Sequence, residues 1–403
     1  MIEQRLPRAM YALLFAVTLM TAVGNLGLVS VMPAIGRALA IPDALIACTF
    51  SLSALAWAFT SPIWARKSDR QGRKPMLLVG LAGFTVSMGG CALVVLAGLH
   101  ALIAPLAIFA VFTIVRSSYG LFGSAAATAA QALVADRSHG TVRVRALSGL
   151  AGALSLGTIT GPAIAPFFVM APAGLAGPPL AFAVIGIVLL AMTALLLPRD
   201  RPVVQAAAGP QPSLWKDAAL RPLLVQGLVI ASAQAINIYT LGFAVIDTMH
   251  ARVAEAQWWI GLTMSLGAAS GLIAQLGLVN LVKPSPRLML RGGAAIALVG
   301  NIVAIAFGGL AALVAGFVIL SFGYGLARPG FSAAASIEVG AERQGAVAGA
   351  VSSIAGASIA VPPIIAVAFY QYWWSAPFVM AAAGALWVLL AKRNRAALFP
   401  DSD

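Results

Sequence analysis

The chain alternates between long apolar runs and short polar interruptions. A helix needs about 20 mostly apolar residues to cross a bilayer. Twelve such runs can be marked, at approximately 9–36, 44–65, 76–98, 101–135, 146–170, 180–198, 222–249, 258–282, 288–308, 310–336, 346–369 and 375–391. Charges and clusters of Pro and Gly divide them. No stretch between them is long enough for a soluble domain. The longest polar piece, RDRPVVQAAAGPQPSLWKDAALR at 199–221, lies at the middle of the chain and has the composition of a linker. The pattern predicts an all-α polytopic membrane protein with twelve transmembrane helices. An N-terminal six-helix bundle covers 1–198, a cytoplasmic linker 199–221 and a C-terminal six-helix bundle 222–403. The first run is too long for a cleaved signal peptide.

Composition sharpens this. Hydrophobic residues make up 61% of the 403, charged residues only 9%, and mean hydropathy is +0.96. A soluble chain carries about 25% charge, so a soluble protein is excluded. The net charge of +13, from 25 Lys and Arg against 12 Asp and Glu, would suggest nucleic acid in a soluble chain. Here it reports topology, because basic residues collect in cytoplasmic loops. With both termini inside, 21 of the 25 basic residues fall in inside segments. Arg37 and Arg252 fall outside, and Arg116 and Arg328 fall within spans. Trp258, Trp259, Tyr370, Tyr372, Trp373 and Trp374 then sit at the outer interface. Cys48 and Cys91 lie inside apolar runs, and His100, His139 and His250 are scattered in loops. No disulfide framework, metal spacing or cofactor is expected. The spans carry no nucleophile–base or paired-carboxylate constellation, which argues against a membrane-embedded enzyme.

Six spans, a linker and six more suggest duplication. Span four and its exit read RSSYGLFGSAAATAAQALVAD (116–136), and span ten reads SFGYGLARPGFSAAASIEVGAE (321–342). The two Tyr-Gly-Leu triplets, beginning at Tyr119 and Tyr324, are 205 residues apart, about half the chain. The expectation is two halves related by an axis normal to the membrane.

Three motifs carry a family resemblance. After span two, SPIWARKSDRQGRKPMLLVG (61–80) places Asp69, Arg70, Gly72, Arg73 and Lys74 in a short inside loop. This resembles the signature loop of the major facilitator superfamily, with Ala65 where that family usually has Gly. The resemblance implies that Asp69 caps the helix of span eleven, and that Arg73 pairs with Asp136 at the exit of span four. Breaking an N-cap costs about 0.5–2 kcal/mol, a suitable size for a gate. Span four carries Arg116 and Gly120, similar to the family's Arg-x-x-x-Gly pattern. At about 1.5 Å per residue, Arg116 lies some 22 Å into the membrane, where an arginine normally faces a cavity or a partner. In span five, Gly157, Gly161 and Pro162 form Gly-x-x-x-Gly-Pro, with Gly152 further back. This resembles the antiporter motif of the twelve-span drug:proton branch, the tetracycline and multidrug exporters. Small residues four apart allow close helix approach, and Pro162 and Pro166 bend the helix. The first span, GNLGLVSVMPAIGRAL (24–39), is similar to that branch, yet those exporters commonly place an acid in this helix, and here the nearest polar residue is Asn25. The second-half counterpart of the signature loop, at 281–293, is degenerate.

No carboxylate falls near mid-membrane, although proton antiport usually needs one that changes charge inside the bundle. Asp247, near the outer end of span seven, and Glu338, at the inner mouth of span ten, are the candidates for proton coupling. Arg116 and Arg328 lie at depths without an acid, which favours an anionic solute over a lipophilic cation. Asn25, Tyr119, Gln131, Gln234, Asn237, Tyr239, Asn301 and Tyr324 complete the candidate substrate-binding set. The resemblance implies a monomeric inner-membrane exporter of a drug or metabolite, working by alternating access with protons as partner. A dedicated exporter of an anionic metabolite such as a carboxylate siderophore, and an importer or facilitator, remain open.

Overall fold

A computed structural model describes residues 7–102, 104–138, 140–170, 172–198, 214–218, 220–249, 253–278, 284–339 and 343–391. Most of the expected linker, together with Arg252, His139, His250 and the acids Glu3, Asp200, Glu342, Asp401 and Asp403, lies outside the described residues.

The described chain is helical. The elements are α1 (Arg8–Ala38), α2 (Asp43–Gln71), α3 (Arg73–Leu99), α4 (Pro105–Asp136), α5 (Gly140–Ile164), α6 (Gly177–Leu196), α7 (Arg221–Met249), α8 (Val253–Ile273), α9 (Pro286–Ala306), α10 (Gly309–Ile337), α11 (Gln344–Ala360), α12 (Pro362–Tyr370) and α13 (Ala376–Leu390). Among the described residues, eleven helical stretches are long and apolar enough to cross a membrane, and α13 is a shorter apolar helix. The twelve runs of the sequence map onto them one to one. Span eleven is α11 followed by α12, interrupted at Val361 (φ −120°, ψ −47°). Pro362 and Pro363 supply no backbone donor there. Phe59, Ile114, Ile187 and Leu195 are exposed, as apolar residues facing lipid are.

One expectation is corrected. The polar segment after span two is no loop: α2 continues to Gln71, carrying Asp69 and Arg70 on its last turn, and α3 begins at Arg73. Gly72 alone makes the connection, at φ 93° and ψ 164°. A side chain is strained at that φ and glycine is not.

By its contacts the chain forms two units, Met1–Ala206 with Leu241–Ser265, and Ala207–Thr240 with Leu266–Asp403. The boundary falls inside α7 and α8.

Similar packing devices recur within each unit. In the first, a Cβ on Gly120 of α4 would lie 2.2 Å from the Ser53 carbonyl oxygen of α2. In the second, one on Gly325 of α10 would lie 2.4 Å from the Gly271 carbonyl oxygen of α8. These are the glycines of the two Tyr-Gly-Leu triplets, each letting the fourth helix of its repeat touch the second. Lys74, at the start of α3, donates to the Ala194 and Leu197 carbonyls that end α6. Arg291, near the start of α9, donates to the Leu389 and Ala391 carbonyls that end α13. A cation on the unpaired carbonyls of a helix C-terminus satisfies both their hydrogen bonding and the helix dipole.

Candidate functional site

In the first unit the central group is Arg116. It lies eleven residues after Pro105, about 17 Å along α4, and is 2% exposed. Its Nη2 donates to Oδ1 of Asn25 on α1. Its guanidinium carbon is 4.8 Å from the ring centroid of Tyr119 and 5.4 Å from that of Phe50 on α2. Aromatic faces attract a desolvated cation. The Gly120 contact sets α4 tightly on α2, where Ser53 Oγ donates to the Arg116 carbonyl at 3.3 Å. Tyr119 is wedged between Trp57 and Phe84, with centroids at 5.3 and 5.7 Å. Backbone contact and aromatic packing together fix the direction of the guanidinium.

At one end of this unit Arg73, 4% exposed, holds two acids. Its Nε donates to Asp136 at 2.9 Å and its Nη1 to Asp69 at 2.6 Å, with a third bond to Ser68 Oγ. The Arg73–Asp136 contact is the pairing that the signature motif implies. Asp69 is engaged by Arg73. Arg70 is exposed.

At the opposite end Arg37 joins two more acids. Its Nε and Nη2 grip Asp43 at 2.8 and 2.7 Å, and its Nη1 and Nη2 reach Asp247 on α7 at 3.1 and 3.2 Å. Planar guanidinium forks suit this bidentate pairing. Arg37 lies on the last turn of α1 rather than in a loop, and Asp43 opens α2. Each charge is on the helix end whose dipole favours it.

The small-residue motif of α5 faces α1. A Cβ on Gly157 would meet Ala22 Cβ at 2.5 Å, and one on Gly161 would meet the Val23 carbonyl oxygen at 2.5 Å. Gly152 has nothing within 4 Å, so it lies off that seam. Pro166 cannot donate to the Pro162 carbonyl, and that oxygen would lie 2.6 Å from a Cβ on Gly261 of α8. Gln257 Nε2 donates to the Ser30 carbonyl at 3.3 Å, and Ser265 Oγ to that of Ile159 at 3.1 Å. The Leu241–Ser265 stretch is thus keyed into α1 and α5.

The second unit carries two adjacent polar rungs between α7 and α10. Arg328 Nη1 donates to Gln234 Oε1 at 3.2 Å. One turn away Asn237 Nδ2 donates to the Tyr324 hydroxyl at 3.0 Å. Asn237 and Asn301 are fully buried, and Arg328 is exposed. Glu338 pairs with Arg287 at 2.6 Å.

The structure therefore gathers most of the candidate residues into defined clusters. Gln131 is exposed on α4, fifteen residues or about 22 Å beyond Arg116. Tyr239 is half-buried on α7. Phe50, Arg37, Asp43, Gln257 and Gly261 did not stand out in the sequence. The one signal available was an Arg six residues ahead of an Asp across the first turn. No cluster of three or more His, Cys, Asp or Glu able to hold a metal is found among the described residues.

These features agree with what the chain resembles. The model of the Major Facilitator Superfamily matches residues 14–363. The chain belongs to that superfamily: it is a multi-pass membrane protein that transports small solutes, not an enzyme. Among solved structures it is similar to a bacterial homologue of the human lysosomal transporter Spinster, in an inward-facing, occupied conformation. The TM-score is 0.75 at 11% identity over 95% of this chain and 94% of that one. The human organic anion transporter MFSD10 (TETRAN) matches at 0.65 and 17%, over 94% and 98%. A D-xylose–proton symporter matches at 0.71 and 14%, over 95% and 97%. At such identities the likeness is one of fold. No curated protein matches the sequence.

Proposed function

We propose that this chain exports a small organic anion from the bacterial cytoplasm across the inner membrane by alternating access, in exchange for protons. Arg116 carries the proposal. It is a buried cation about a third of the way along a spanning helix, oriented by Asn25, Phe50 and Tyr119. The described carboxylates of the spans lie within three residues of a helix end: Asp43, Asp69, Asp136, Asp247, Glu255 and Glu338. Mid-depth charge in the spans is therefore positive, and an anion is the solute it attracts. Holding an arginine at such depth costs at least about 2.5–3.5 kcal/mol, a cost that a function can justify. The organic anion transporter of the same fold is in keeping with this chemistry.

The export direction rests on Gly157, Gly161 and Pro162, whose pattern resembles the antiporter motif. Orientation, with both termini cytoplasmic, rests on the one-sided distribution of Lys and Arg. Asp247 and Glu338 carry the protons in this reading, each leaving its arginine when protonated. The gate comprises Asp69, Arg73 and Asp136. The two sequence halves, 1–198 and 222–403, are the moving parts.

Uptake of a labelled organic anion into inside-out proteoliposomes tests the whole. Export driven by protons predicts anion accumulation when the lumen is acidified, and collapse of that accumulation on adding a protonophore. Uptake indifferent to the gradient would remove the antiport, and transport of lipophilic cations in place of anions would remove the substrate assignment.

A further inference from the structure

The polar rungs of the second unit have a chemistry distinct from that of Arg116. On α7, Gln234, Asn237 and Thr240 follow one another at intervals of one turn, and on α10 Tyr324 and Arg328 are one turn apart. Gln234 pairs with Arg328 and Asn237 with Tyr324, so the helices meet in successive rungs. The first rung is cationic and exposed. The second is neutral and sealed. Each asparagine amide nitrogen makes one bond, Asn237 Nδ2 to Tyr324 and Asn301 Nδ2 to the Ala297 carbonyl at 2.8 Å. Among the described residues, their oxygens and the Thr240 hydroxyl are buried without a hydrogen-bond partner. Buried amide oxygens in a membrane bundle are costly unless something donates to them. The group that completes this node is therefore a hydrogen-bond donor. An anion is repelled by the same oxygens and is attracted to Arg328.

We propose that Arg328, Gln234, Asn237, Asn301 and Tyr324 form a subsite for an organic anion that bears a hydroxyl about one helical turn from its acid group. The acid group lies on Arg328 and Gln234. The hydroxyl donates its one proton to the oxygen of Asn237 or of Asn301 and accepts from Tyr324. Residues one turn apart on a helix are spaced by about 5–6 Å, which sets the separation of the two groups on the solute. Both amide oxygens are closed over in this conformation, so the hydroxyl enters as the α7–α10 seam parts. This rests on the anion reading above and specifies which anions are preferred.

The experiment is competition against labelled anion flux in proteoliposomes, using straight-chain carboxylates of four to eight carbons, each with and without a 4-hydroxyl group. Thermal shift of the detergent-purified protein with the same pairs supplies a readout that needs no transport. At the best chain length the hydroxylated acid should compete at least tenfold better, because a site built to bond a hydroxyl rejects its deoxy analogue. Asn237→Ala and Asn301→Ala should bring the ratio within twofold, weakening the hydroxylated acid much more than the deoxy acid. Arg328→Gln should weaken both acids together. Equal competition by both members of every pair in the wild type would overturn the subsite and leave the anion reading intact. So would asparagine variants that weaken both members equally, since that marks a purely structural bridge. Competition by neither member at any length would overturn the anion reading along with it.

Discussion

The guanidinium of Arg116 on α4 donates to the side-chain oxygen of Asn25 on α1. A polar residue of the first span thus aims the buried cation at mid-depth of the first unit. Arg116→Ala should abolish this site while keeping the fold, because Gly120 and Tyr119 anchor α4 independently. A charge-assisted bond is worth about 1.5–3 kcal/mol. Anion affinity should therefore fall about 10- to 150-fold in a thermal-shift titration. Asn25→Ala should cost less, since the two aromatic rings still hold the cation. Arg116→Ala with unchanged anion affinity would remove this residue from the substrate path.

Arg73 bonds Asp136, Asp69 and Ser68 at once, so its removal leaves two carboxylates facing each other. Asp136→Asn leaves Arg73 bound to Asp69. The arginine variant should therefore be the more destabilised, by about 1–3 kcal/mol, measured as a lower melting temperature in detergent. If the pair also gates transport, Asp136→Asn should change flux more than it changes melting. Proportional losses would make the cluster structural only.

Much of the fold was legible because a membrane imposes a simple rule, an apolar run of fixed length per crossing. The twelve runs and the pairing of Arg73 with Asp136 followed from pattern and resemblance. The end of α2 did not. Its polar tail, 66–71, reads as loop because charge marks the edge of a bilayer, not the end of a helix. The Arg37–Asp43–Asp247 cluster was also hidden. Asp247 is 210 residues from Arg37, and no local spacing announces a contact of that range. Phe50 was invisible for another reason: an aromatic in an apolar run looks the same whether it faces lipid or a guanidinium.

Asp247 and Glu338 both sit in ion pairs, with Arg37 and Arg287 respectively. If either carries the coupling proton, neutralising it should separate movement of solute from movement of protons. Asp247→Asn, or Glu338→Gln, should then retain anion exchange yet lose accumulation driven by a pH gradient. Lumenal pH dyes and labelled anion, followed together in one vesicle preparation, report both. Full gradient-driven accumulation in the double variant would exclude both acids.

The α5 motif makes a prediction with an internal control. A Cβ on Gly161 meets backbone of α1 at 2.5 and 2.9 Å, and one on Gly157 meets Ala22 Cβ and the Leu19 carbonyl at 2.5 and 2.7 Å. Backbone cannot swing aside as a side chain can, so α1 and α5 must separate to admit a methyl group. Such overpacking costs about 1–3 kcal/mol. Gly161→Ala and Gly157→Ala should both lower the melting temperature. Gly152→Ala, on the same helix with open space around it, should leave it level or raise it, because alanine favours a helix over glycine by about 1 kcal/mol. Gly261→Ala tests the other side of α5, where the added carbon meets the Pro162 carbonyl oxygen at 2.6 Å and the Pro166 ring at 2.8 Å. That variant should lower transport more than Gly152→Ala does. If all four alanine variants melted alike, the glycine pattern would have no packing role, and the resemblance to the antiporter motif would lose its physical basis.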